Sequence, residues 1–98
     1  LLLDEPTTGL DLPGRETLLS VIDGLRAALP GLTTVMITHH VEEIAASTTD
    51  ILMIKDARIL ASGTVSEVMT PENLGALYDM SVSLETVRGR WFAFDALH

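Results

Sequence analysis

Apolar residues along this chain alternate between short continuous runs and stretches of helical period. Leu1-Leu2-Leu3 is a continuous run that stops at Asp4-Glu5-Pro6, as a buried strand does at its C-terminal end, because Pro6 has no N–H to give to a ladder. Over 15–29, Leu18, Ile22, Leu25 and Leu29 recur on one helix face, Val21 and Ala28 widen the stripe, and Asp23 and Arg26 fall off it. Asp11 is a favoured N-cap, Pro13 suits the first turn, and Pro30-Gly31 stops the helix. Residues 32–38 form a β-branched run without strict polar alternation, the pattern of a strand covered on both faces. Strand, helix and strand in that order, with a helix long enough for a right-handed crossover, predict parallel pairing and an α/β fold.

The pattern then shortens. A brief helix is predicted over 41–46, a strand over 50–55, and a hairpin whose return strand covers 58–62. Asp56-Ala57 would be its two-residue turn, a place where a glycine is expected because Ala57 fits a positive φ poorly. Thr64-Val65-Ser66-Glu67 has capping-box spacing, and Thr70-Pro71 is a second helix start followed by Leu74, Leu77 and Tyr78 on the apolar side. Val82, Leu84 and Thr86 alternate as a strand, Arg88-Gly89-Arg90 is a turn, and Trp91-Phe92-Ala93-Phe94 returns.

Composition narrows the function classes. The chain has 98 residues, 47% of them hydrophobic, enough for one compact domain. Fourteen acidic against six basic residues give a net charge of −8, which repels nucleic-acid phosphates, so no nucleic-acid partner is expected. Without cysteine there is no disulfide framework, thiolate nucleophile or cysteine-ligated zinc. The longest stretch free of Asp, Glu, Lys and Arg, 27–41, is too short for a membrane span. The chain opens inside an apolar run with no cap or turn before it, so more protein upstream is the expectation.

The ionisable residues gather where apolar runs stop. Asp4-Glu5 ends the first strand, Asp11 follows seven residues after Asp4, and His39 ends the next strand; ligands of open parallel sheets sit outside such strand ends. Strand alternation would send Asp4 and Glu5 to opposite sides, so that one holds hydrated magnesium while the other faces a water. A carboxylate beside that water can orient and polarise it, and His39 can donate to a phosphate oxygen. Glu42-Glu43 read as solvated first-turn acids favoured by a helix dipole. A different chemistry, a metal-dependent phosphohydrolase with Asp4, Glu5, His39 and His40 as ligands, lacks a compact motif.

The run Leu1-Leu2-Leu3-Asp4-Glu5-Pro6-Thr7-Thr8-Gly9-Leu10-Asp11 resembles the Walker B motif and D-loop of ATP-binding cassette ATPases, and Thr38-His39 resembles their H-loop. The resemblance implies the C-terminal part of a P-loop NTPase domain of this type: parallel strands with a crossover helix, then a hairpin and short helices. It implies ATP and Mg2+ as cofactors, Asp4 as the metal-associated carboxylate, Glu5 as the catalytic glutamate, Asp11 as the D-loop aspartate and His39 as the switch histidine on the γ-phosphate. His40 stands where many relatives carry Asp and is assigned no catalytic role. The implied partners are a second ATPase domain of the same type and transmembrane permease subunits, and the implied location is cytoplasmic, on the inner face of the cell membrane.

The only lysine, Lys55, is not in a Gly-Lys-Ser/Thr context, and the chain has no glutamine and no Gly-Gly pair. Walker A, Q-loop and signature motifs are therefore missing from residues 1–98, which read as a partial domain. Thr7-Thr8-Gly9-Leu10-Asp11 is similar to transporter-type cassettes, while His39-His40-Val41-Glu42-Glu43-Ile44 and Arg90-Trp91-Phe92 resemble a soluble group related to molybdate transport and photorepair. The competing expectations are a truncated, non-catalytic interaction module and a cassette ATPase unconnected with transport.

Overall fold

A computed structural model describes residues 1–97. They form two compact units, Leu1–Ser47 with Arg88–Arg90, and Thr48–Val87 with the residues from Trp91 onward.

In the first unit, strands β1 (Leu2–Asp4) and β2 (Val35–Ile37) pair in parallel, with Leu2 opposite Val35, Leu3 opposite Met36 and Asp4 opposite Ile37. Helix α1 (Leu12–Ala28) is the crossover between them. Its start follows the sequence chemistry: the Asp11 Oδ1 atom accepts from the Gly14 N–H at 3.0 Å, and Pro13 lies in the first turn, where no partner for its nitrogen is needed. Leu19, Ile22 and Ala45 make the buried core of this unit, with Leu3, Leu18 and Met36 packed against it.

Two expectations fail here. Residues 32–38 are not a strand covered on both faces: only Val35–Ile37 pair, and Leu2, Val35 and Ile37 are exposed by 68%, 52% and 47%. Helix α1 covers one face of the pair, the face of Leu3 and Met36, and no second layer covers the other among the described residues. Asp23 and Arg26, expected off the packed face of α1, are instead part-buried. Arg26 donates to the Thr34 hydroxyl from Nε at 2.8 Å and to the Ser47 carbonyl at 2.7 Å, while Asp23 accepts from the Ser47 N–H and hydroxyl. These bonds satisfy loop groups flanking β2 and leave Leu25 and Leu29 at the surface.

The helix expected over 41–46 is a single 3₁₀ turn, Val41–Glu43. Ile44 is already extended (φ −77°, ψ 114°), which lets Ala45 reach the core beside Leu19 and Ile22.

The second unit begins with β3 (Asp50–Lys55) and β4 (Arg58–Thr64), an antiparallel hairpin. Met53 opposes Ala61 but Ile54 opposes Ile59, so Leu60 is the extra residue of a bulge. The Glu67 carboxylate accepts from the Thr64 N–H at 3.1 Å at the start of α2 (Val65–Val68). Thr70 accepts from the Asn73 N–H at 3.1 Å at the start of α3 (Pro71–Tyr78). Lys55 Nζ closes the other end of α3, donating to the Ala76 carbonyl and to Asp79 at 2.6 Å. Met53, Val68, Met69, Leu74 and Val82 are the buried apolar residues of this unit. Strands β5 (Val82–Val87) and β6 (Arg90–Asp95) pair as the last hairpin.

The first hairpin turn is two residues long in spite of its sequence. Lys55 pairs with Arg58, and Asp56 and Ala57 lie at φ +51° and +61°, the left-handed pair of a type I′ turn. An alanine there costs about 1–2 kcal/mol through Cβ crowding; a glycine removes that cost but loses about 0.5–1 kcal/mol through its freer unfolded chain. Ala57→Gly is therefore expected to raise stability by about 0.5–1 kcal/mol, seen as a higher urea midpoint at unchanged slope; an unchanged or lower midpoint would remove the strain argument.

Candidate functional site

The parallel register brings the C-terminal ends of β1 and β2 side by side, so the residues that follow each strand become neighbours. Pairing runs one step past β1, the Glu5 N–H donating to the Ile37 carbonyl at 2.9 Å. Glu5 then turns the chain: its φ is +51°, and the Thr8 N–H returns to its carbonyl at 3.2 Å. A side chain held in this left-handed region stores strain of about 1–3 kcal/mol, of the kind found where geometry serves a site. Strand alternation thus does not decide where Glu5 points, contrary to the sequence reading.

The turn carries the Glu5 carboxylate to His39. The His39 Nδ1–H donates to Glu5 Oε1, while the His39 side chain is 81% exposed and that of Glu5 30%. A carboxylate can only accept, so this bond places a proton on Nδ1; Nε2 is then an acceptor in the neutral ring and a donor in the cation. Glu5 Oε2 also receives the Thr8 hydroxyl at the long distance of 3.5 Å.

Behind this pair lies a residue that the sequence reading placed in solvent. Glu43 is buried, as is Thr7, two residues after Glu5. The Thr38 hydroxyl, directly before His39, donates to Glu43 Oε2. Burial pushes the Glu43 carboxyl up, yet the Thr38 and Thr7 hydroxyls, helped by His40 and Arg15, outweigh it and leave its pKa below the ordinary value. Glu42, the other half of the expected solvated pair, does stay partly exposed. The 3₁₀ turn explains the difference, since it aims Glu43 back under Thr38 instead of outward along a longer helix.

A second support comes from Arg90. Its guanidinium meets Glu16 of α1 two-pronged, at 2.9 and 3.1 Å, and donates to the Glu42 carbonyl at 2.6 Å. Arg15 Nε also reaches Glu16 at 3.1 Å. The Arg90 Nε atom is buried without a hydrogen-bond partner. No local signal marks this clasp in the sequence, because its partners are 74 residues apart. Glu43 left a faint one, Thr38 at a spacing of five, which helical periodicity does not register.

Asp4 is exposed at the end of β1, and Asp11 is engaged by the helix it caps. Of the four residues expected to converge, the structure joins Glu5 to His39, leaves Asp4 exposed directly before Glu5 and turns Asp11 to the Gly14 N–H. Among the described residues no group of three or more His, Cys, Asp or Glu is placed to hold a metal ion, so the four-ligand phosphohydrolase centre is not formed. A lone exposed carboxylate does fit magnesium of the nucleotide-bound kind, which completes its octahedron from phosphate oxygens and water.

No protein-family model matches the chain. Individual relatives do. The chain is 49% identical over 70 residues to the cobalt import ATP-binding protein CbiO of Rhodobacter capsulatus, covering 71% of this chain and 24% of that protein. It is 37% identical over 87 residues to the energy-coupling factor transporter ATP-binding protein EcfA2 of Listeria welshimeri, covering 89% and 29% respectively. A solved metal-chelate-type ABC transporter in an inward-facing conformation superposes with a TM-score of 0.75 at 29% identity, covering 94% of this chain and 37% of its own. The chain belongs to the ATP-binding cassette ATPases, and it spans between about a quarter and two fifths of the length of these three proteins.

The Arg90 clasp has a pH signature. Hydrogen bonding from Arg90 draws the Glu16 carboxyl down from 4.5 to about 2 in spite of some desolvation, with Arg15 adding to the effect. A folded-state pKa below the unfolded one means stability that is complete above about 4.5 and is lost as pH falls through about 2. Urea midpoints are expected to drop across that window, and Glu16→Gln to drop less steeply over it; parallel profiles for the two proteins would show that the clasp has no such role.

Proposed function

We propose that this chain is the Walker B, D-loop and H-loop part of an ATPase that hydrolyses Mg2+-ATP to power transport. The observation that carries the reading is the Glu5–His39 hydrogen bond at the ends of two parallel strands, where an acid and an imidazole face the space beyond the sheet edge. The names of the relatives, which describe import and energy coupling, support transport as the use of that energy.

In this reading Glu5 orients and polarises the attacking water, its carboxylate already held by a hydrogen bond that fixes its rotamer. His39 would hold the γ-phosphate by donating from Nε2–H in the cationic ring, whose Nδ1–H stays on Glu5. Asp4 would hold the magnesium ion, which supplies charge neutralisation at the phosphates when bound. Asp11, on the rim at the head of α1, faces a second ATPase domain that completes the site. Membrane permease subunits are the further partners, and the protein works in the cytoplasm against the inner face of the membrane. No helix among the described residues is long and apolar enough to cross a membrane.

Glu5→Gln in the whole protein is expected to lower ATP turnover about 10²–10⁴-fold while ATP still binds. The check is steady-state phosphate release beside equilibrium nucleotide binding; full turnover in the variant would falsify the role given to Glu5.

A further inference from the structure

Arg90 takes no part in the proposed chemistry, yet its side chain is only 15% exposed. What it meets explains that burial. Nη1 and Nη2 take the two carboxylate oxygens of Glu16 at 2.9 and 3.1 Å, and Nη2 donates again, at 2.6 Å, to the Glu42 carbonyl. The 3₁₀ turn spends its own N–H groups on earlier carbonyls, that of Glu43 on His40 and that of Ile44 on Val41. The Glu42 carbonyl comes next in line, and a turn that ends at Ile44 leaves such a group to an outside donor. Arg90 is that donor.

Glu16 is a firm anchor for the bridge. Leu19, one turn further along the same face of α1, is 2% exposed in the core, so this part of the helix is locked by packing. Asp23 follows on that face about two turns after Glu16 and accepts from the Ser47 N–H at 3.2 Å and from its hydroxyl. Two carboxylates of α1 thus fasten the two ends of the stretch from Glu42 to Ser47, Asp23 directly and Glu16 through Arg90. The turn that carries Arg90 lies alongside that stretch. Arg88 and Gly89 are left-handed, at φ +52° and +76°, and a Cβ on Gly89 would stand 3.4 Å from that of Ala46. Arg88–Arg90 belong to the same compact unit as Glu16 and His39.

We propose that Arg90 is a positioning residue: its guanidinium braces the 3₁₀ turn against α1 and so fixes the backbone from which His39, just ahead of that turn, reaches Glu5. The inference rests on the ATPase reading for its catalytic consequence, but not for its structural one. Arg90 acts through the turn and not on the reacting groups.

The test compares Arg90→Ala, Arg90→Lys, Glu16→Ala and the double alanine variant in the whole protein. Expected for Arg90→Ala is a kcat about 5- to 30-fold lower with KM for ATP within about threefold, because position is lost and contacts to the nucleotide are not. Lys keeps the charge without the planar fork, so it can meet Glu16 or the Glu42 carbonyl and is expected to recover only a small part of the loss. Glu16→Ala removes the anchor of the same bridge, so the double variant should have a kcat within about twofold of Arg90→Ala. A readout independent of turnover is the ¹⁵N resonances of His39 in histidine-labelled protein. In Arg90→Ala they should move toward those of Glu5→Gln, in which the acceptor for Nδ1–H is altered. Val68→Ala, a core truncation in the second unit, should lower the urea midpoint without moving them.

A folded Arg90→Ala with unchanged kcat and unchanged His39 resonances overturns the proposal, as do losses that multiply in the double variant or a full recovery by Lys. A parent protein without ATP turnover sinks the ATPase reading alone, since the His39 resonances still decide the role of Arg90. Should Arg90→Ala not fold, Arg90→Lys carries the test: its His39 resonances should move in the same direction, and resonances that stay at the parent's positions overturn the proposal.

Discussion

The parallel pairing of β1 with β2 is the constraint on which the rest of the first unit depends. Three residue pairs fix the register, and that register alone decides that the chain after Asp4 meets the chain after Ile37. A slip of one residue in either strand would turn its inward residue, Leu3 or Met36, away from Leu19 and Ile22 and shift Glu5 relative to His39 in the same step. Core packing and site geometry are therefore selected together. The apolar side of the sheet chooses the alignment, and the polar ends inherit it.

Polar groups then refine what the ladder begins. The left-handed turn at Glu5 is unfavourable by itself and is held by hydrogen bonds on both sides, from the Glu5 N–H to Ile37 and from Thr8 back to Glu5. The loops flanking β2 are fastened from α1 by Arg26 and Asp23, and the 3₁₀ turn by Arg90. Apart from the Arg26–Thr34 bond, each of these fastenings uses a partner more than twenty residues away, so the loops are shaped by the packed elements around them and not by their own propensities alone.

That division explains how much could be read in advance. The element order, the Asp11 and Thr70 caps, the crossover helix and both hairpins follow from local chemistry, which a sequence displays directly. So do Asp4, Glu5, Asp11 and His39 as candidates, because they sit where apolar runs stop. What was not legible depends on distant partners. Glu43 looks like any helix-start acid until Thr38 is seen on it, Arg90 like a turn residue until Glu16 is, and Val35 and Ile37 look buried because a β-branched run does not say whether one layer or two will cover it. The Asp56-Ala57 turn is a different case, in which the tight hairpin geometry prevailed over a residue poorly suited to it.

The two supports of the histidine loop differ in kind. The Arg90–Glu16 clasp joins opposite charges, with the Glu16 side chain 43% exposed, whereas the buried Glu43 carboxylate accepts from the neutral Thr38 hydroxyl. Dissolved ions weaken the first by shielding and scarcely reach the second, since shielding acts on solvent-facing charge pairs. Rising ionic strength therefore loosens the outer fastening of this loop while the inner one holds, so the loop keeps one attachment at high salt.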